Sequence, residues 1–180
     1  YQMGNDKSVY FDNADNLNYH KKMSAYNVRL DLGYKINENL KAGVGFEMLS
    51  GQSQTDTTAD YGQGNHAFTP LYGTNHKFNG WMDYFYVGNH INSVGLNDIF
   101  LTLDYSKNKL IAGAQFHYFM AAADVRDMKE FNATGDIKAM SANLGMELDT
   151  YVGYKFDKKV LFKAGVSGMF DSETMRALKG

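Results

Sequence analysis

The stretch Tyr26-Asn27-Val28-Arg29-Leu30-Asp31-Leu32-Gly33-Tyr34-Lys35-Ile36, the turn Asn37-Glu38-Asn39 and the run Leu40-Lys41-Ala42-Gly43-Val44-Gly45-Phe46-Glu47-Met48 decide the fold. Apolar and polar residues alternate strictly in both runs. Period two places Tyr26, Val28, Leu30, Leu32, Tyr34 and Ile36 on one face and Arg29, Asp31 and Lys35 on the other. Two such runs around a three-residue polar turn predict a β-hairpin. The pattern recurs around Ser106-Lys107-Asn108, with Ile99 to Tyr105 before it and Leu110 to Met120 after it. It recurs again around Asp157-Lys158-Lys159, between Leu144 to Phe156 and Val160 to Phe170. Each hairpin carries Ala-Gly near the start of its second strand (Ala42-Gly43, Ala112-Gly113, Ala164-Gly165). Repeated hairpins predict an all-β, antiparallel up-and-down sheet.

The six apolar rows hold 34 positions and none is charged, although at the chain-wide charged fraction of 21% about seven would be. The opposite rows carry Arg29, Asp31, Lys35, Lys41, Glu47, Asp98, Asp104, Lys109, Glu147, Asp149, Lys155 and Lys163, with Gln115 and His117 among them. Exclusion this complete is expected of a lipid-facing surface, where a charge at mid-membrane costs roughly 2–4 kcal/mol. The connections inside hairpins are short. Those between them, residues 51–97 and 121–143, are long and polar, which is the asymmetry of an outer-membrane barrel. Tyr26 and Tyr34 stand eight residues apart, about 26 Å along a strand and about 20 Å after tilting, so tyrosines can mark two interfacial girdles. A soluble or small eight-stranded barrel binding an apolar ligand would show the same rows turned inward, and it is the competing class.

Composition narrows the rest. The 180 residues amount to one domain, 1–180, with 18 basic and 20 acidic side chains, a formal charge of -2 and no cysteine. Three arginines and no basic cluster argue against nucleic acid as a partner. The absence of cysteine removes thiolate catalysis and cysteine-ligated zinc. No apolar run approaches the length of a transmembrane helix. Six strands are too few to close a membrane barrel, which needs eight or more, so the chain reads as an interior or C-terminal portion of a larger one.

The segment Phe68-Thr69-Pro70-Leu71-Tyr72-Gly73-Thr74-Asn75-His76-Lys77-Phe78-Asn79-Gly80-Trp81-Met82-Asp83-Tyr84-Phe85, with Val87-Gly88-Asn89-His90 and Gly95-Leu96-Asn97-Asp98 after it, resembles the alginate-export-type outer-membrane porins of Bacteroidota. Val160-Leu161-Phe162-Lys163-Ala164-Gly165, Met169-Phe170 and Glu173-Thr174-Met175 resemble the same group near its C-terminus. The resemblance implies a monomeric barrel of about eighteen strands in a Gram-negative outer membrane, in contact with lipid and lipopolysaccharide and conducting a hydrophilic solute. It further implies a closing aromatic strand that this sequence lacks, which fits a fragment missing both ends. The archetypal exporter passes a polyuronate through an arginine-rich constriction. Here the strand rows hold only Arg29, and the inward charges are balanced, six basic against six acidic.

The expected lumen lining is therefore Arg29, Asp31, Lys35, Lys41, Glu47, Asp98, Asp104, Lys109, Gln115, His117, Glu147, Asp149, Lys155 and Lys163. Lysines lie beside the short turns and Glu47, Asp98, Glu147 and Asp149 toward the long loops. That predicts a cation-attracting outer half and an anion-attracting periplasmic mouth, unless the charges simply pair across strands. Loop 51–97 is the candidate constriction. Trp81, Asp83 and Phe85 sit in a stretch too aromatic to stay in water, so it folds into the lumen or packs on the rim. His66, His76 and His90 share that loop with Asp56, Asp60 and Asp83, but no spacing matches a metal-ligand pattern, and no metal or cofactor is expected. His117 has no nucleophile near it in sequence, so no enzymatic role is expected. Residues 121–130 could form a short helix.

Overall fold

The computed structural model describes residues 1–6, 10–12, 17–69, 78–86 and 94–179. Thirteen strands are found among them: β1 (Gln2–Asn5), β2 (Tyr10–Asp12), β3 (Leu17–Tyr19), β4 (Lys22–Ala25), β5 (Asn27–Lys35), β6 (Leu40–Leu49), β7 (Gly64–Asn65), β8 (Phe78–Asn79), β9 (Phe85–Tyr86), β10 (Leu96–Lys107), β11 (Leu110–Met120), β12 (Asn143–Lys155) and β13 (Leu161–Asp171). Three short helices accompany them, α1 (Ala59–Gly62), α2 (Met128–Thr134) and α3 (Glu173–Lys179).

The six long strands form one antiparallel sheet in the order β13-β12-β11-β10-β6-β5. Each strand pairs with its successor, and the hairpins are the three read from the alternation. β5 and β13 form the two edges and are not bonded to each other, so the sheet does not close among the described residues. A separate three-stranded sheet, β1-β4-β7, and the two-stranded pairs β2-β3 and β8-β9 lie outside it. Gln2 and Met3 at the start of the chain lie in β1, against β4, and not in the large sheet.

Local chemistry explains the tight ends. Asn37 Oδ1 accepts from the backbone N–H of Asn39 (2.9 Å) and Leu40 (3.0 Å), and Asp157 Oδ1 does the same for Lys159 (2.7 Å) and Val160 (3.0 Å). These are side-chain-mimicked turns, the reason Asn and Asp open them. Between β10 and β11 the turn is two residues, Asn108-Lys109, one position later than the pattern suggests. Asn108 takes a left-handed φ of 54°, which asparagine tolerates better than other non-glycine residues. Asp127 caps α2 by accepting from the N–H of Lys129 (3.0 Å) and Glu130 (3.1 Å), and Gly135 ends it at φ 80°. The helix expected in 121–130 thus begins at Met128, where its cap lies.

The two faces of the sheet differ sharply. Among the described residues no element covers the apolar rows, and Leu30, Leu101, Val152, Phe162 and Val166 are all exposed, Val166 at 75%. Among the described residues the hydrophobic core lies on the charged face. It sits at the long-loop end, where Leu49, Phe85, Val94, Leu96, Phe119, Ala121, Val125, Leu144 and Met175 pack together. Leu144 is a correction: the alternation assigns it to the exposed row, but the β11–β12 register shifts between Phe119 and Met120, and the bulge turns Leu144 inward to 1% exposure.

Candidate functional site

The sheet register assembles the site. Arg29 lies opposite Glu47, Glu47 opposite Asp98, and His117 opposite both Phe100 and Glu147, with Asp149 two residues further along β12. Alternation sends all these side chains to the charged face. Two glycines make room for aromatic rings on that face. A Cβ at Gly45 would fall 2.0 Å from Phe100 Cζ, and one at Gly113 would fall 2.4 Å from the Tyr151 ring. Phe100 then carries the Arg29 guanidinium 4.9 Å from its centroid, and the Tyr151 hydroxyl donates to Asp104 at 2.9 Å.

Segment 78–86 lies across the long-loop half of this face. Asn79 Nδ2 donates to Glu47 Oε2 (3.2 Å) and Asp98 Oδ2 (3.0 Å). The backbone N–H of Trp81 donates to Asp149 Oδ2 (3.1 Å), and that of Met82 to Glu147 Oε1 (2.7 Å). Gly80, at φ 82°, lets the chain approach so closely that a Cβ there would sit 2.5 Å from Glu147 Oε1. The remaining partners come from the sheet. Arg29 donates to Glu47 Oε2 (2.8 Å) and to both oxygens of Asp31, Asn27 Nδ2 donates to Glu47 Oε1 (3.0 Å), and His117 Nδ1 lies 3.0 Å from each Asp98 oxygen. Phe85 closes the segment by packing on Phe119, ring centroids 4.6 Å apart.

The expected lining residues therefore divide in two. Glu47, Asp98, His117, Glu147 and Asp149 are buried beneath segment 78–86, with the four carboxylates at most 1% exposed. They hold the segment and do not form an open acidic half. Arg29, Asp31, Lys35, Lys41, Asp104, Lys109, Lys155 and Lys163 stay exposed and Gln115 half-buried. Many of these line a concavity of about 820 Å³ together with Thr102, Phe100, Gly80 and Trp81. Trp81 reaches the wall beside Tyr151, with ring centroids 5.6 Å apart, and Lys163 Nζ lies 3.7 Å from the Tyr151 centroid and 4.8 Å from that of Trp81. Asp83, half-buried at φ 59°, makes the bend that follows.

Sequence reasoning did not find Asn79, Gly80, Asn27 or Tyr151. Asn27 and Tyr151 were accessible to it, since they share the alternation of Arg29 and Asp149. His66 stacks on Tyr61 with centroids 4.4 Å apart, and among the described residues no three His, Asp or Glu side chains are placed to hold a metal ion. His76, His90 and Pro70 lie outside the described residues. Beyond the sheet, the Lys129–Glu173 ion pair (2.8 Å) joins α2 to α3; this hydrogen-bonded contact draws the Glu173 carboxyl below its usual range and lifts the Lys129 ammonium above its own. No family model matches the chain, and no curated protein aligns with it significantly.

Proposed function

We propose that the chain forms part of a transmembrane β-barrel of the bacterial outer membrane, a porin-like channel whose lumen is the charged face and whose constriction is segment 78–86. One observation carries the reading: among the described residues the sheet leaves its uncharged apolar face bare and folds its own chain onto the charged face, the inverse of a soluble protein. Strand length supports it. The six strands run 9, 10, 12, 11, 13 and 11 residues, and about 9–11 tilted residues suffice to cross a bilayer. No helix among the described residues is long and apolar enough to cross a membrane. The resemblance to alginate-export-type porins points the same way.

The transported class follows from which charges a solute can touch. The balance of six basic and six acidic residues in the sequence does not survive folding, because segment 78–86 covers four of the acids. The exposed wall retains Arg29, Lys35, Lys41, Lys109, Lys155 and Lys163 against Asp31 and Asp104. A water-filled passage with this lining favours hydrophilic anions, with anionic sugars as the fitting class. Such a channel needs no cofactor, and its partners are outer-membrane lipid, lipopolysaccharide and the solute.

Planar-bilayer recording of the full-length protein across a salt gradient tests this. The expected result is discrete conductance steps with a reversal potential of the anion-selective sign. A folded, inserted protein with cation-selective steps removes the assignment of the solute class. A protein that does not insert but binds an apolar ligand in solution establishes the competing class.

A further inference from the structure

The apolar rows run on to the short turns, and there they end in charge. Lys107, the last residue of β10, has the parity of Leu101, Leu103 and Tyr105 and so belongs to the bare face. It pairs with Leu110 of β11, Leu110 with Tyr154 of β12, and Tyr154 with Phe162 of β13, one continuous row along the rim. Phe156 stands edge-on to both Tyr154 and Phe162, with ring centroids 5.0 and 5.1 Å apart, and all three rings are exposed. The turn that follows adds Lys158 and Lys159. At the opposite end the same rows finish in Tyr26, Met48, Asn97, Met120 and Phe170, all neutral.

Three cations of this rim have no partner. The ammonium groups of Lys107, Lys158 and Lys159 belong to exposed residues and make no hydrogen bond or ion pair among the described residues. Asp157 precedes two of them, but its Oδ1 is engaged by the backbone N–H groups of Lys159 and Val160. Glu38, in the turn between β5 and β6, is the other carboxylate of the three hairpin turns. A fourth ammonium is held in place: Lys109 Nζ donates to the Phe156 carbonyl (3.0 Å) and lies 6.0 Å from the Tyr154 centroid.

Exposed rings with free ammonium groups just beyond them match the order of chemistry along a lipid, hydrocarbon first and phosphate after it. Strand spacing sets Lys107 about 10 Å from Tyr154 across β11, a gap that flexible four-carbon lysine stems can close around one phosphate. A zwitterionic headgroup brings its own ammonium beside the phosphate and repels a second lysine. An anionic headgroup does not.

We propose that this rim is a binding site for an anionic glycerophospholipid, its phosphate held by Lys107, Lys158 and Lys159 and its acyl chains lying along Tyr154, Phe156 and Phe162. With no cation at the other end of the same rows, the site is one-sided, and the sheet takes anionic phospholipid only from the leaflet that faces the short turns. The proposal rests on the apolar face meeting lipid, as the channel reading requires.

Photolabelling tests it. The full-length protein is reconstituted in phosphatidylcholine vesicles doped with either phosphatidylglycerol or phosphatidylcholine carrying an acyl-chain diazirine, irradiated, and the labelled residues are located by peptide mass spectrometry. Each lysine near anionic lipid contributes about fivefold before screening, so phosphatidylglycerol is expected to label residues 154–162 roughly tenfold more than phosphatidylcholine. Met146 and Phe170, at the other end, are labelled equally by both. K107Q/K158Q/K159Q brings the two probes level at 154–162, K107R/K158R/K159R keeps the preference, and K107Q alone lowers it if the triple variant does not fold. Equal labelling of 154–162 in the wild type, or a preference that survives the glutamine substitutions, overturns the proposal. Displacement of the phosphatidylglycerol probe by lipid A as effectively as by unlabelled phosphatidylglycerol also overturns it, and gives the site to lipopolysaccharide phosphate. No labelling of 154–162 by either probe in the folded protein removes the channel reading and the proposal together, whereas equal labelling removes the proposal alone.

Discussion

Replacing Gly80 by alanine strikes the point where segment 78–86 comes closest to the sheet. Its φ of 82° costs an L-residue roughly 1–2 kcal/mol. The added Cβ would stand 2.5 Å from Glu147 Oε1, 2.6 Å from Cδ and 2.7 Å from Oε2, well inside contact distance for all three atoms. Glu147 sits in β12, paired on both sides, so the carboxyl has little room to retreat and the segment must lift. Lifting breaks the Met82 and Trp81 backbone bonds to Glu147 and Asp149, each worth about 0.5–1.5 kcal/mol as a hydrogen bond. Water reaching the freed carboxylates offsets part of this. The net bias against the docked state is about 2–4 kcal/mol, or roughly 30- to 700-fold in the docked-to-free ratio. Trp81 fluorescence measures it: G80A is expected to shift emission to the red, raise acrylamide quenching and enlarge conductance. G33A is the control, because nothing lies within 4 Å of a Cβ at Gly33. Emission and quenching in G80A equal to wild type would refute the close approach as the cause of docking.

Other outcomes follow from the same contacts. N79A removes the donor shared by Glu47 and Asp98 and is expected to cost about 1–3 kcal/mol in docking, read as faster hydrogen exchange at the Trp81 and Met82 amides. G45A forces the Phe100 ring off its glycine and is expected to destabilise the sheet by about 1–3 kcal/mol in urea unfolding from vesicles, while also releasing Arg29 from the ring. D127A removes the cap of α2 at a cost of about 1 kcal/mol, visible as exchange confined to residues 128–134. Glu173 titrates below an isolated glutamate in an NMR pH series. Its pairing with Lys129 contributes above the unfolded-state value and is lost as pH falls through the folded one; K129M restores the ordinary value.

Six strands, their order and two of their three hairpin turns were legible because each strand repeats one rule, a charge-free row against a charged one, and because Asn37 and Asp157 write their turns in side-chain chemistry; the third, Asn108-Lys109, lies one residue later than the pattern placed it. The same regularity misplaced Leu144, since a bulge changes register without changing composition. The charged row was legible residue by residue, but its state was not. Glu47, Asp98, Glu147 and Asp149 look like open lumen until segment 78–86 is laid over them. Two of the four hydrogen bonds that hold the segment come from the backbone N–H of Trp81 and Met82, groups that no sequence pattern distinguishes. Gly80 showed no signal in sequence because its role depends on a carboxylate 67 residues away.

The central claim is that the bare apolar face meets lipid and the charged face meets water. The chain contains no cysteine, so single cysteines introduced at Leu101, Val152 and Val166, and at Lys41 and Asp104, carry one spin label each. Power-saturation measurement in vesicles compares collision with oxygen against collision with a water-soluble nickel chelate. The account predicts high oxygen and low nickel accessibility at Leu101, Val152 and Val166, and the reverse at Lys41 and Asp104. Labels at the apolar positions that neither reagent reaches, with the charged positions open to bulk water around the outside, would contradict it and make the apolar rows the interior of a soluble barrel.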